Sequence, residues 1–397
     1  MLKAFPTACA AVVVFLLLCS PGRAQNLPAD ADQPPDQKTD QPPPVVEKVR
    51  RYVEDNPIVQ KLSGDGFYPR IGGLSAGSGL AGGGGYRRHL TWLYADVSAA
   101  ISTKVYVGVD AKVRWLSTIG NRLEAWTEFT FRDDTKDPFY GLGLRSPPAA
   151  VVDYAIQTRD ASVRAVARPL PWIHLGSAIG YFRPAIRRGR DERIRSIEQV
   201  FEDVTAPGLA EQPTFLHGSV FAEIDVRDAP GFPSRGGLYR ATYALWNDRT
   251  FNQYDFRRFD IEGSQFFAVS SKDVIGMRLI LSYANNAPGD RVPFYLLPSA
   301  GGGDTLRAFR EYRFRDENAG VFNVELRHRV HPLVHLAAFV DAAKVAHNWQ
   351  DINPLEPKMS YGLGIRAGTA NRMLLRLDAA AGGDEGARVF LKFTPAF

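Results

Sequence analysis

The chain has 397 residues, 45% of them apolar and 23% charged, a balance that excludes wholesale disorder. Its 48 basic and 43 acidic side chains leave a formal charge of +5, too even a mixture to point to nucleic acid. After the extreme N-terminus no apolar run approaches the roughly 18 residues of a membrane-spanning helix, so a bundle of transmembrane helices is excluded too.

Residues 1–24 have a basic start at Lys3, an apolar stretch from Ala10 to Leu18, and then Gly22-Arg23-Ala24. That order predicts a secretory signal peptide cut after Ala24. A lipoprotein reading would instead use Cys19, but Leu18 stands where a small residue is needed. Cys9 and Cys19 are the two cysteines of the chain, so cleavage leaves an exported protein with no disulfide and a charge of +3. Residues 25–65 form a Pro/Asp-rich periplasmic tail with almost nothing to bury. Within it Val46, Val49 and Val53 have helical spacing before Pro57, which predicts a short helix over 45–56. A transient helix in a tail fits the same spacing.

From residue 66 the texture changes. Segments of eight to twelve residues alternate apolar and polar side chains between Gly, Pro, Asn and Asp, which is the period of strands with two unlike faces. Over 320–330 one face carries Phe322, Val324 and Leu326, and the other Asn323, Glu325, Arg327 and Arg329. Over 372–379 Met373, Leu375 and Leu377 oppose Arg372, Arg376 and Asp378. Charges of both signs sit in mid-strand, and apolar rows often start or end in an aromatic. A water-soluble sandwich does not need that pattern, whereas a membrane barrel does, being apolar outside and polar inside. The predicted strands lie at about 68–76, 79–88, 90–101, 104–115, 122–132, 150–167, 171–183, 214–227, 236–246, 254–268, 273–285, 320–330, 333–345, 360–368, 372–381 and 387–397. The fold expected is all-β, a transmembrane antiparallel barrel of about 16 strands over residues 66–397. Long connections (133–149, 184–213, 247–253, 286–318, 346–359) fall on one side and short turns on the other, as in outer-membrane barrels. Phe397, in step with Phe393, Leu391 and Val389, closes the last strand in the manner of a membrane-insertion signal.

Several segments go beyond a generic barrel. Residues 292–309 (VPFYLLPSAGGGDTLRAF) resemble the hallmark loop of the outer-membrane barrel-assembly and two-partner-secretion translocator superfamily, also called the bacterial surface antigen family. Its Arg-containing tetrad stands here as Leu306-Arg307-Ala308-Phe309, with Ala308 for the usual Gly. FVDAAKV (339–345) is similar to the family's Phe-x-Asp-x-Gly-x-Val strand, with Ala343 for Gly. Glu325 matches an acidic position on the strand after the loop, and DVRDAPGFPSRGG (225–237) resembles another family strand and turn. The resemblance covers about 66–397. It implies a barrel-only member, since the roughly forty residues ahead of the first strand leave no room for a periplasmic polypeptide-transport-associated domain. It further implies that the 286–318 loop enters the barrel, hinged at Gly301, Gly302 and Gly303, and that Arg307 and Phe309 anchor it against Glu325 and Asp341. An arginine fork bonds carboxylates bidentately, and a partly dry lumen strengthens the bond. The alternative is that Arg307 is one of many arginines in a solvated network of lumen charges.

Two enzyme signatures occur by letter, Gly73-Leu74-Ser75-Ala76-Gly77 and the glycines of 77–82, but neither leads into a helical pattern. His328, His331 and His335 straddle a turn and share no face, so no metal is expected. The sequence therefore predicts a non-enzymatic, cofactor-free protein of the bacterial outer membrane, acting in protein insertion into that membrane or translocation across it. Its expected partners are outer-membrane lipid and a periplasmic protein or unfolded barrel clients. The rival reading is a pore or structural barrel that does not transport protein.

Overall fold

The computed structural model describes residues 64–115, 122–369 and 372–393. The predicted signal peptide, nearly all of the tail with its helix, and Phe397 lie outside the described residues. In chain order the strands are β1 (Gly66–Gly72), β2 (Ala81–His89), β3 (Leu93–Ser102), β4 (Val107–Trp115), β5 (Leu123–Phe139), β6 (Val152–Leu170), β7 (Ile173–Arg188), β8 (Phe215–Asp225), β9 (Gly236–Asp248), β10 (Phe256–Ala268), β11 (Asp273–Asn286), the two-residue β12 (Ser299–Ala300) and β13 (Phe314–Arg315), β14 (Asn318–His331), β15 (Val334–Ala346), β16 (Lys358–Thr369), β17 (Arg372–Ala381) and β18 (Ala387–Lys392). Sixteen of them form one antiparallel sheet in chain order, while β12 and β13 pair only with each other inside the β11–β14 loop. Among the described residues no ladder joins β1 to β18.

The faces are inverted relative to a soluble protein. On β14 Phe322 and Leu326 are 40% and 43% exposed, while Asn323, Glu325 and Arg327 are 2%, 3% and 5% exposed. The same holds on β15, where Leu336 and Val340 are exposed and Asp341 is buried. In water this arrangement would expose a large continuous apolar surface and bury charges at high cost. Hydrocarbon outside and a polar interior remove both penalties. Every connection longer than ten residues lies on one side of the sheet (140–151, 189–214, 287–317 and 347–357). On the other side 171–172 and 332–333 are two-residue turns. The ten-residue 226–235 turn is the longest there. Its Phe232 packs on His335 with ring centroids 4.9 Å apart, Arg327 Nη2 donates to the Pro233 carbonyl, and Met373 N donates to the Gly231 carbonyl at 3.2 Å. The turn thus folds back across the strand ends.

Three sequence expectations shift. Met373, expected on the outward apolar row with Leu375 and Leu377, is buried while Arg372 is exposed, because a register shift between Ala367 and Gly368 puts one extra residue into β17 there. β5 runs on through Phe139, although Asp-Asp-Thr-Lys-Asp (133–137) has the composition of a loop. The residues opposite on β6 supply a continuous ladder, and a register shift between Asp134 and Asp137 absorbs the irregularity. The first hairpin turns over 73–80 rather than tightly at Gly77-Ser78. Ser78 is buried there, and its Oγ accepts from Leu74 N at 3.2 Å and Ser75 N at 3.4 Å.

Candidate functional site

The 287–317 loop carries an apolar first part and a polar tip. Val292, Phe294 and Leu297 join Phe139, Tyr154, Phe215, Tyr254 and Phe256 in a buried cluster at the long-loop end of the sheet. Beyond it the β12–β13 pair closes a hairpin whose tip holds the Leu306-Arg307-Ala308-Phe309 tetrad. Thr305 fixes the turn by donating from Oγ1 to the Gly301 carbonyl at 2.8 Å and accepting from Gly301 N at 2.9 Å. Gly301 and Gly302 have φ of +126° and +88°, values that a β-carbon would strain, whereas Gly303 has no such angle. At Gly302 a β-carbon would also lie 2.1 Å from the Glu311 carboxyl carbon, so the chain folds back on itself where only glycine fits. The hairpin spans the interior: Glu311 approaches Gly77 of the first hairpin, and Lys392 of β18 donates to Asp304 Oδ2 at 2.6 Å.

Arg307 is 2% exposed and is held by three strands. Its Nη2 and Nε donate to Asp341 at 2.8 and 3.0 Å, and its backbone N donates to the same carboxylate at 3.1 Å. Nη1 donates to Glu325 Oε2 at 3.0 Å and stands 3.6 Å from Asp378 Oδ2. The guanidinium carbon lies 3.4 Å from the centroid of the Phe339 ring, a stacked cation–π contact. Phe309 is buried with Leu306, Phe314, Val321 and Phe339, and its ring occupies the space a β-carbon on Gly383 would need. Ala308 and Ala343 lie in the same cluster, so the extra methyl groups are accommodated.

The sequence reading named Arg307, Phe309, Glu325 and Asp341, and the structure brings these four together. It adds a wall that the reading missed. Arg366 on β16 donates to both oxygens of Glu325, at 3.1 and 2.6 Å, and to Asp378 Oδ1 at 2.6 Å. Arg376 on β17 donates to the Gly303 carbonyl at 2.7 Å and to Asp304 Oδ1 at 2.9 Å. Asn323 and Ser360 donate to Asp341 at 2.9 and 2.8 Å. Arg307, Arg366 and Arg376 therefore face Glu325, Asp341 and Asp378, a charge-balanced cluster in which each partner is below a twentieth exposed. Gly364 makes room for it, since a β-carbon there would lie 2.2 Å from Asp378 Oδ1 and 2.5 Å from Arg366 Nη1. Mid-strand charges on the inward row were the signal for Arg366, Arg376 and Asp378, but the row alone does not say which of them meet.

The remaining candidates lie elsewhere. Phe393 follows β18 and is 50% exposed. Ser75 Oγ donates to Asp134 at 2.9 Å in a connection that leads into β2, not into a helix. His328 bonds Asp273 at 2.7 Å, while His335 packs on Phe232, so the two rings have separate partners.

Comparison with curated proteins gives no match. Among solved structures, BamA from Haemophilus ducreyi lacking POTRA domains 1–3 superposes with a TM-score of 0.62 at 18% identity, covering 82% of this chain and 69% of that one. CdiB from Escherichia coli superposes with a TM-score of 0.54 at 12% identity, covering 82% of this chain and 61% of that one, so this chain spans less than two thirds of its length. At these identities the likeness is one of fold. The sequence of residues 211–390 matches the Omp85 superfamily domain. All six charges of the cluster lie inside that stretch, which runs from the end of the 189–214 connection into β18.

Proposed function

We propose that this protein sits in the bacterial outer membrane, exported through a cleaved signal peptide, and acts there in inserting proteins into the membrane or moving them across it. The observation that carries the reading is the buried cluster that fixes the 287–317 hairpin to β14–β17. A barrel serving as a permanent diffusion pore has no use for a polypeptide plug tied down by six interior charges. A transport device that must stay sealed at rest does. In this reading Arg307 is the loop anchor, Glu325 and Asp341 are its seats, Phe309 packs the tip and Gly301 to Gly303 form the bend. The edges of the sheet support the same reading. β1 has seven residues and β18 six, the shortest of the sixteen, and no ladder joins them among the described residues. Lipid cannot satisfy free backbone groups, and an extended client chain can pair with an open edge. Partners in this reading are outer-membrane lipid, and unfolded barrel clients or a periplasmic protein that delivers them.

Two measurements test it. Depleting the protein and surveying the outer-membrane proteome should show selective loss of integral or surface-exposed proteins. In planar bilayers the purified protein should show a low resting conductance that rises when the hairpin anchor is removed. An unchanged proteome together with a large, steady conductance in the wild type would overturn the proposal in favour of a simple pore.

A further inference from the structure

The outer face of β6–β9 carries a feature that protein transport does not use. Along β6 the membrane-facing row is Gln157, Arg159, Ala161, Val163 and Ala165, and along β7 it is Arg183, Tyr181, Ile179 and Ser177. Arg159 and Arg183 are direct cross-strand partners, both exposed. Like charges in that position repel. Among the described residues neither guanidinium has a carboxylate partner; Arg159 donates only to Gln157 Oε1, at 3.0 Å. The neighbouring outward arginine, Arg187, is by contrast paired with Asp133.

Their height in the membrane follows from the strand. The apolar face of β6 begins at Leu170, beside the exposed Trp172 of the short turn. On β7, which runs without a bulge here, ten residue steps separate Ile173, the partner of Leu170, from Arg183, the partner of Arg159; the register shift near Leu170 absorbs one extra residue of β6. At about 3.4 Å per step and a tilt of about 40° that is roughly 26 Å of height, close to the apolar band of an outer-membrane barrel. Arg159 and Arg183 therefore stand at the headgroup level on the long-loop side. Below them, starting four residues down the strand, is a groove of about 410 Å³ lined by Val163, Ser177, Ile179, Gly218, Val220 and Leu245. Gly218 gives it depth: a β-carbon there would meet nothing nearer than the Ala178 carbonyl at 3.7 Å.

We propose that this face binds one phosphorylated lipid of the leaflet on the long-loop side, its phosphate held between Arg159 and Arg183 and one acyl chain lying in the groove. The proposal rests on the reading of the chain as a membrane barrel. The unpaired arginines identify the ligand as an anion, and the groove beneath identifies it as an anion with a hydrocarbon tail. Guanidinium forks match phosphate oxygens bidentately, and a bridging phosphate turns the repulsion between the two arginines into attraction.

The test uses the full-length protein folded in an uncharged detergent, with lipid A as the probe and native mass spectrometry as the readout. The wild type should retain one lipid A, with affinity at least tenfold above phosphatidylcholine, and millimolar inorganic phosphate should not displace it. Arg159→Gln with Arg183→Gln should lower the affinity at least tenfold. Gly218→Leu, which fills the groove from a position with space for a side chain, should lower it as well. Heat-modifiable gel migration verifies folding. If the double glutamine variant does not fold, Arg159→Lys with Arg183→Lys, expected to bind with intermediate affinity, takes its place. Equal binding by wild type and variants, equal retention of phosphatidylcholine, displacement by inorganic phosphate, or a second copy of the chain in place of lipid would each overturn the proposal. The outer-membrane proteome is not an arm of this test, so its failure is distinct from failure of the transport reading.

Discussion

Replacing Arg307 with alanine probes the cluster most directly. Before the change three arginines balance three carboxylates. Afterwards the enclosed group carries a net charge of −1, and the loss falls unequally. Glu325 keeps both bonds from Arg366, whereas Asp341 keeps only neutral donors, Asn323, Ser360 and the backbone N of residue 307. Removing one partner of a buried pair costs about 3–5 kcal/mol, and with Glu325 still paired the lower half of that range applies. The barrel, held by its backbone ladders, should still show heat-modifiable migration, but the hairpin should loosen, and trypsin should cut near Arg310 and Arg313. Arg307→Ala combined with Asp341→Asn removes one charge of each sign and restores balance, so its cost should fall below the sum of the single variants by about 1–3 kcal/mol. Arg307→Lys should rescue in part, because an ammonium neither forks between Asp341 and Glu325 nor stacks flat on Phe339. Hairpin protection equal to wild type in Arg307→Ala, or strict additivity in the double variant, would refute the reasoning.

Gly364→Ala should destabilise the folded form by about 1–3 kcal/mol, since its methyl group would enter the space of Asp378 and Arg366. Gly82→Ala, with nothing within 4 Å of its β-carbon, should leave the gel-shift midpoint unchanged. On intact cells a membrane-impermeant thiol reagent should label Val204→Cys, in the 189–214 connection, and spare Ser271→Cys in the short 269–272 turn. The reverse pattern would invert the assignment of sides. Phe397→Asp should reduce the amount of folded protein in the membrane, measured as the heat-modifiable band, and assembly equal to wild type would remove the terminal aromatic from the insertion signal.

The sequence alone determined the strands, their number and, along most of them, which face is apolar, because a period of two is local and apolar rows such as Phe322, Val324 and Leu326 state it residue by residue. At the start of β17 the alternation misleads: Met373 is buried and Arg372 exposed, because a register shift against β16 puts one extra residue into the strand. It also marked Arg307, Glu325 and Asp341, through motif residues near one another in the chain. What only the tertiary structure decided is which of the other inward charges close the network. Arg366 reaches Glu325 across β15, and Gly364 stands opposite Asp378, because of the stagger between neighbouring strands. Stagger is a relation between strands, fixed by the turns and the ladders together, and alternation within one strand is blind to it. The extension of β5 through Asp133–Phe139 has the same cause: its residues favour a turn in isolation, and only pairing with β6 holds them extended.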